Sequence, residues 1–173
     1  MSSDKFNIGV DFGGVLSLKD TEGAEHVNTA IDMPFAVENL LKLKALGHKL
    51  FLISFCGKAR AIETKQRLES TMVSEGVSCA SLFDEIYFVK DTKFKKSMCE
   101  YLNCHFMIDD REDIQFDVQN SACKTIPILF GERKHSSLIP AYDWNIVTNI
   151  ITSTPHFSTE LKVDKPTKLF YNI

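Results

Sequence analysis

Four short apolar runs in this chain each stop at residues able to bind or transfer charge. Phe6 to Phe12 carries Asp11, with Gly13 and Gly14 just beyond it, and His48 to Ser54 ends on Ser54. Lys93 and Lys95 follow Glu85 to Val89, and His105 to Asp109 ends on Asp109 with Asp110 next. An aspartate on a buried strand is costly unless its charge is paired or bound to a metal, so Asp11, Asp109 and Asp110 invite a cation. Carboxylate oxygens select a hard ion, which makes magnesium the expected guest rather than zinc. The two glycines let the backbone turn sharply and come close to a bound group. Ser54 can donate a hydrogen bond to a phosphoryl oxygen and a lysine can neutralise its charge, which is what phosphoryl transfer requires.

These residues meet only if the runs lie side by side. Short β-rich runs alternating with helix-like stretches indicate an α/β protein with a parallel sheet, whose ligands bind beyond the carboxyl ends of the strands. Lys124 to Phe130 supplies a fifth strand, and its Pro127, which cannot donate a ladder hydrogen bond, places that strand at a sheet edge. A first helix is expected to open at Asp32 and Pro34, bury Val37, Leu40 and Leu41, and close at Gly47. Lys58 to Val73, with Ile62, Leu68 and Met72 as its stripe, Phe94 to Leu102 and Arg111 to Asn120 supply three more helices. Trp144, Val147 and Ile151 mark a final helix capped by Asp143. After Thr152 the chain turns polar and carries Pro155 and Pro166, which divides it into a core of residues 1–152 and an extension of residues 153–173 that covers an edge strand.

Composition narrows the function. The 173 residues fit one domain, and 44% hydrophobic with 25% charged residues excludes disordered and collagen-like classes. A net charge of -3 gives no general attraction to nucleic acid or to a membrane surface. The longest uncharged apolar run, Leu50 to Gly57, is far short of the roughly 20 residues a membrane helix needs. The amino terminus lacks the apolar stretch of a signal peptide, and five widely spaced cysteines suit a reducing, cytoplasmic compartment better than a disulfide framework.

Taken together, the strand-end motifs identify the chain as a member of the haloacid dehalogenase superfamily of aspartate-nucleophile phosphohydrolases, over most of residues 6–130. Val10-Asp11-Phe12-Gly13-Gly14-Val15-Leu16 resembles the first motif of that family, Leu52-Ile53-Ser54 the second, Lys95 the third and Met107-Ile108-Asp109-Asp110 the fourth, in the family order. The resemblance implies a three-layer Rossmann-like sheet in the order 5-4-1-2-3. It implies that Asp11 attacks phosphorus to give an aspartyl-phosphate that water hydrolyses. It also implies magnesium on Asp11, the Gly13 carbonyl and Asp110, with Asp109 acting through water and Asp113 in support. The phosphate would lie against Gly13, Gly14, Ser54, Phe55 and Lys95.

One position departs from the family pattern. Its phosphatases usually carry a second aspartate two residues after the nucleophile, as general acid and base, and here that residue is Gly13. General acid-base catalysis contributes about 10² to 10⁴ in rate, so a slow phosphatase is expected, most impaired on poor leaving groups. The rival reading is a noncatalytic module that binds magnesium and a phosphorylated ligand or partner. A dehalogenase would not need the Asp109–Asp110 pair, and a receiver domain would reverse the order of acidic pair and acceptor. No dinucleotide fingerprint or P-loop is present.

Between Gly14 and Ser54 there is room for a flap, Ser17 to Met33, but not for a large cap domain. An uncapped site suits a phosphorylated small molecule with an exposed remainder, a macromolecular phosphate, or closure by another subunit of a homo-oligomer. Lys19, Glu22 and His26 in that flap read as solvated loop residues more readily than as substrate contacts. Cys99, Cys104 and His105 lack the second cysteine pair of a zinc site, Cys56 lacks a histidine partner, and Arg111 either reaches a phosphate or caps its own helix.

Overall fold

The computed structural model describes residues 5–18, 31–132 and 136–173. Its first strand, β1 (Asn7–Val10), is followed by α1 (Ala36–Ala45), β2 (Lys49–Phe55) and α2 (Lys58–Ser70). A small antiparallel hairpin of β3 (Met72–Ser74) and β4 (Val77–Ser78) leads to β5 (Glu85–Val89), α3 (Phe94–Leu102), β6 (Phe106–Asp109) and α4 (Glu112–Gln119). The chain then forms β7 (Ile126–Phe130), β8 (Ile139–Ala141) and α5 (Trp144–Ser153). The main sheet is parallel throughout, in the order β5-β2-β1-β6-β7-β8. Its members from β5 to β7 are the expected 5-4-1-2-3 arrangement, and β8 is an addition beyond β7.

Strand alternation divides the core into two layers. Ile8, Leu50, Leu52, Phe106, Ile108 and Ile128 face Leu40, Leu43, Leu68, Trp144 and Val147 on α1, α2 and α5. Phe51, Ile53, Tyr87 and Met107 face Met98, Cys99, Leu102, Ile114 and Val118 on α3 and α4. Central strands buried on both sides must be apolar along their whole length, as β2 is across Leu50–Ile53.

Several sequence expectations need correction. The fifth strand, β7, is not at the edge, because β8 pairs outside it. Neighbouring residues of a parallel strand direct their N–H groups to opposite sides, and Ile126 N–H donates to His105 on the β6 side. Pro127 therefore turns its missing donor toward β8, whose pairing begins only at Ile128.

The first helix starts at Ala36, after Phe35 in the left-handed region with φ 65°. Asp32 does not cap it. Its Oδ1 accepts from Leu18 N–H at 2.7 Å, and its own N–H donates to Leu16 O, so it ties together the two ends of the flap. The buried stripe is Ala36, Asn39, Leu40 and Leu43, while Leu41 is exposed. In α2 the buried residues are Ala61, Thr64 and Leu68; Ile62 is exposed, and Met72 lies in β3, beyond the helix.

α5 forms as expected, with Asp143 accepting from Ile146 N–H at 2.9 Å and Trp144 Nε1 donating to Val15 O at 2.8 Å. The following segment lies along the core. Lys90 N–H donates to Leu169 O and Tyr171 N–H to Phe88 O, which adds an antiparallel bridge to the outer edge of β5. Phe170 packs edge-on to Tyr87 beneath that bridge.

Candidate active site

β1 and β6 are paired so that Gly9 lies beside Met107 and Val10 beside Ile108. Continued one residue further, with Asp11 N–H donating to Ile108 O, that register brings Asp11 alongside Asp109. Two carboxylates side by side on adjacent strands repel unless a cation bridges them. α3 supplies it. Lys95 heads the apolar stripe of Met98, Cys99 and Leu102, so the packing that seats α3 on the sheet also drives the lysine inward to 2% exposure. Its Nζ donates to Asp11 Oδ1 at 2.8 Å and to Asp109 Oδ2 at 2.6 Å. Burial works to lower the pKa of this ammonium, and the Asp11 and Asp109 carboxylates overcome it and hold the value above the usual lysine range.

Burial raises the Asp11 carboxyl to about 7; Lys95 opposes that rise, and Asp109 and Asp110 add to it. The second oxygen of Asp109 is also engaged, with Oδ1 accepting from Arg111 N–H at 3.0 Å. Asp110, next in the chain, lines the recess above, where Asp109 does not. Asp11, Asp109 and Asp110 each offer an oxygen within 4.8 Å of the others, and all three residues are buried. A compact set of hard oxygen donors, three acids to the one lysine, suits a divalent cation of the magnesium type.

The recess, about 180 Å³, lies beyond the carboxyl ends of the strands and is lined by Asp11, Gly13, Ser54, Phe55, Thr92, Lys95, Asp110, Arg111 and Ile114. It thus gathers most of the residues singled out in the sequence, Lys95 among them, whereas Lys93 is exposed, near the Phe94 ring. Gly14 does not line it. With φ 77° and its N–H on Ser17 O, Gly14 makes the turn at the base of the flap. A Cβ placed on Gly13 meets no atom within 4 Å, so the position that lacks an acid is also open.

Asp113 does not support the acidic cluster. It accepts two hydrogen bonds from the Arg111 guanidinium, at 3.1 and 2.6 Å, and those bonds are the largest cause holding its carboxyl below the usual range. Arg111 is therefore at once the residue before α4 and a wall of the recess. Burial pushes the Cys56 thiol up, away from the thiolate a nucleophile needs. The His105 ring accepts from Asn7 N–H through Nδ1, so it is turned away from a ligand set with Cys99 and Cys104. Lys19, Glu22 and His26 lie outside the described residues. Thr92 and Ile114 line the recess without having stood out in the sequence, and only the place of Thr92 just past a strand end pointed to it. A larger cavity, about 560 Å³, lies among Asn7, Asn103, His105 and the segment from His156 to Lys162, at the amino ends of β1 and β6 and away from the acidic cluster.

No family model matches this chain, and no curated protein is similar to it in sequence. Solved structures are similar in fold. D,D-heptose 1,7-bisphosphate phosphatase from B. bronchiseptica, in complex with magnesium and phosphate, superposes with a TM-score of 0.62 at 10% identity, over 85% of this chain and 98% of that one. The enzyme of the same name from Burkholderia thailandensis gives 0.55 at 13% identity, over 87% and 100%. A haloacid dehalogenase superfamily hydrolase from Ehrlichia chaffeensis gives 0.50 at 15% identity, over 69% and 57%. The chain thus has the α/β fold of the haloacid dehalogenase superfamily, the family its strand-end motifs resemble.

Proposed function

We propose that this chain is a magnesium-dependent phosphohydrolase that acts on a phosphomonoester through an aspartyl-phosphate at Asp11. The observation that carries the reading is the convergence of Asp11, Lys95, Asp110 and Ser54 on one small recess at the carboxyl edge of a parallel sheet. Asp11, Asp110 and the Gly13 carbonyl are the residues to hold the ion, with Asp109 behind them. When bound, the cation would offset the negative charge of the carboxylates and of a phosphoryl group.

Lys95 keeps the Asp11 oxygen in place, and Ser54 and Lys95 hold the phosphoryl oxygens. An Asp11 oxygen bonds to phosphorus as the bond to the leaving oxygen breaks. The leaving oxygen takes its proton from water, because Gly13 offers none. A second water then attacks phosphorus, which frees phosphate and restores the Asp11 carboxylate. Turnover is slow for want of the acid and base. The chemistry belongs to the core, residues 1–152, and the free state of all five thiols accords with a cytoplasmic site. Among the described residues no helix is long and apolar enough to cross a membrane.

Gly13 also favours a second reading, a domain that binds magnesium and a phosphorylated ligand or partner without turnover. One assay separates the two: aryl phosphates of graded leaving-group pKa, with magnesium or with a chelator, on wild type, Asp11→Asn and Gly13→Asp. The phosphohydrolase reading expects steep dependence on the leaving group, loss of activity in Asp11→Asn, and a gain on poor leaving groups in Gly13→Asp. Activity that survives Asp11→Asn would belong elsewhere, and phosphate binding without any turnover would establish the noncatalytic reading.

A further inference from the structure

We infer that the ring of Phe55 is a platform for the leaving group, and that the site takes aryl phosphates, a phosphate ester on a planar aromatic ring. This rests on the phosphohydrolase reading and adds a substrate class to it. Two independent features point the same way.

The first is space. A recess of about 180 Å³ accommodates a phosphoryl group and an ion, so the rest of a substrate must lie across the mouth. Phe55 ends β2 one residue past Ser54 and is among the residues that line that recess; it is 46% exposed, while Ser54 is buried. Among lining residues that are otherwise largely polar or charged, Phe55 presents apolar surface to solvent, for Ile114 is buried. Aromatic rings stack offset or edge-on with each other, worth about 0.5–1.5 kcal/mol beyond the area they bury.

The second feature is Gly13. With no acid to protonate the departing oxygen, the reaction favours an oxygen that leaves as a stable anion. A phenol, with a pKa of about 10 as in tyrosine, leaves far more readily than an alkyl alcohol. In the step itself, Asp11 oxygen bonds to phosphorus while the phosphorus–oxygen bond breaks. The electron pair departs on the phenolate, which then takes a proton from water. Other good leaving groups satisfy the missing acid, but only a ring also uses Phe55.

The test compares binding of phenylphosphonate and methylphosphonate, which carry the same charged group and cannot be hydrolysed, by calorimetry with magnesium present. Wild type is expected to prefer the phenyl compound about tenfold, Phe55→Ala to lower that preference to within about twofold, and Phe55→Trp to keep it. The readout is the ratio of the two affinities within each protein, and circular dichroism shows that the variants are folded. Equal affinity of wild type for the two compounds, or an undiminished preference in Phe55→Ala, would overturn the platform and leave the phosphohydrolase reading standing. Failure of both compounds to bind wild type would overturn both.

Discussion

Lys95 Nζ lies 2.8 Å from Asp11 Oδ1, joining α3 to the end of β1 across 84 residues of sequence, and the same atom bonds Asp109. Removing one partner of a buried ion pair leaves the other charge uncompensated, at about 3–5 kcal/mol. Lys95→Met, similar in length and without the charge, should therefore lower unfolding free energy at neutral pH by about that amount. Part of the loss should return in acid, as the carboxylates protonate. Urea unfolding at two pH values measures it, and a change under about 1 kcal/mol at pH 7 would show that the triad does not hold the strands together.

Gly9 is the residue that lets β1 sit between its neighbours. A Cβ there would stand 2.7 Å from Met107 Sδ and 3.1 Å from Ile53 Cδ1. Overpacking of a filled core typically costs 1–3 kcal/mol. Gly9→Ala should lose about that much stability in denaturant unfolding, and an unchanged midpoint would mean that Met107 moves aside freely.

The elements that hold the site were largely legible in the sequence, because each strand is one apolar run that ends on a charged or hydroxyl residue. Glu85–Val89 and Phe94–Leu102 were delimited to the residue. What stayed hidden depends on contacts between distant segments. The face of α1 turns on whether Leu41 or Leu43 meets the sheet, and periodicity fits both until α5 packs against it. β8 is three residues long and contains Pro140, too little to show as a strand. Pro127 was read as an edge residue because its free side cannot be seen without knowing where β8 begins to pair. At the site, Asp113 matched the spacing of a supporting acid, but Arg111 beside it takes both of its oxygens. The exposure of Phe55 could not be read from a residue type that is usually core.

Magnesium should stabilise the protein, since a ligand that binds only the folded state adds RT ln(1 + [L]/Kd), about 2.7 kcal/mol at a hundredfold excess over Kd. The melting temperature of wild type is expected to rise with added magnesium and fall back with a chelator. Asp110→Asn, which removes a recess-facing oxygen charge while leaving the Lys95 contacts in place, should abolish most of that rise. An equal rise in the variant would place the ion away from the acidic cluster.

His105 makes stability depend on pH at the far end of the sheet. Its Nδ1 accepts from Asn7 N–H at 2.9 Å and therefore carries no proton, Nε2 faces Thr159 at 3.5 Å, and His156 and Phe157 pack against the ring. Burial, with a smaller contribution from His156, lowers its pKa from 6.5 to about 4. The unfolded chain thus takes up this proton first as pH falls. The stability His105 contributes is complete above pH 6.5, declines between there and about pH 4, and is constant below. His105→Asn places an oxygen near the Nδ1 position to accept the Asn7 bond and cannot titrate. The difference in unfolding free energy between wild type and His105→Asn should therefore shift against wild type on going from pH 7.5 to pH 4.5. A difference that is the same at both pH values would mean that this ring is not held neutral by the fold.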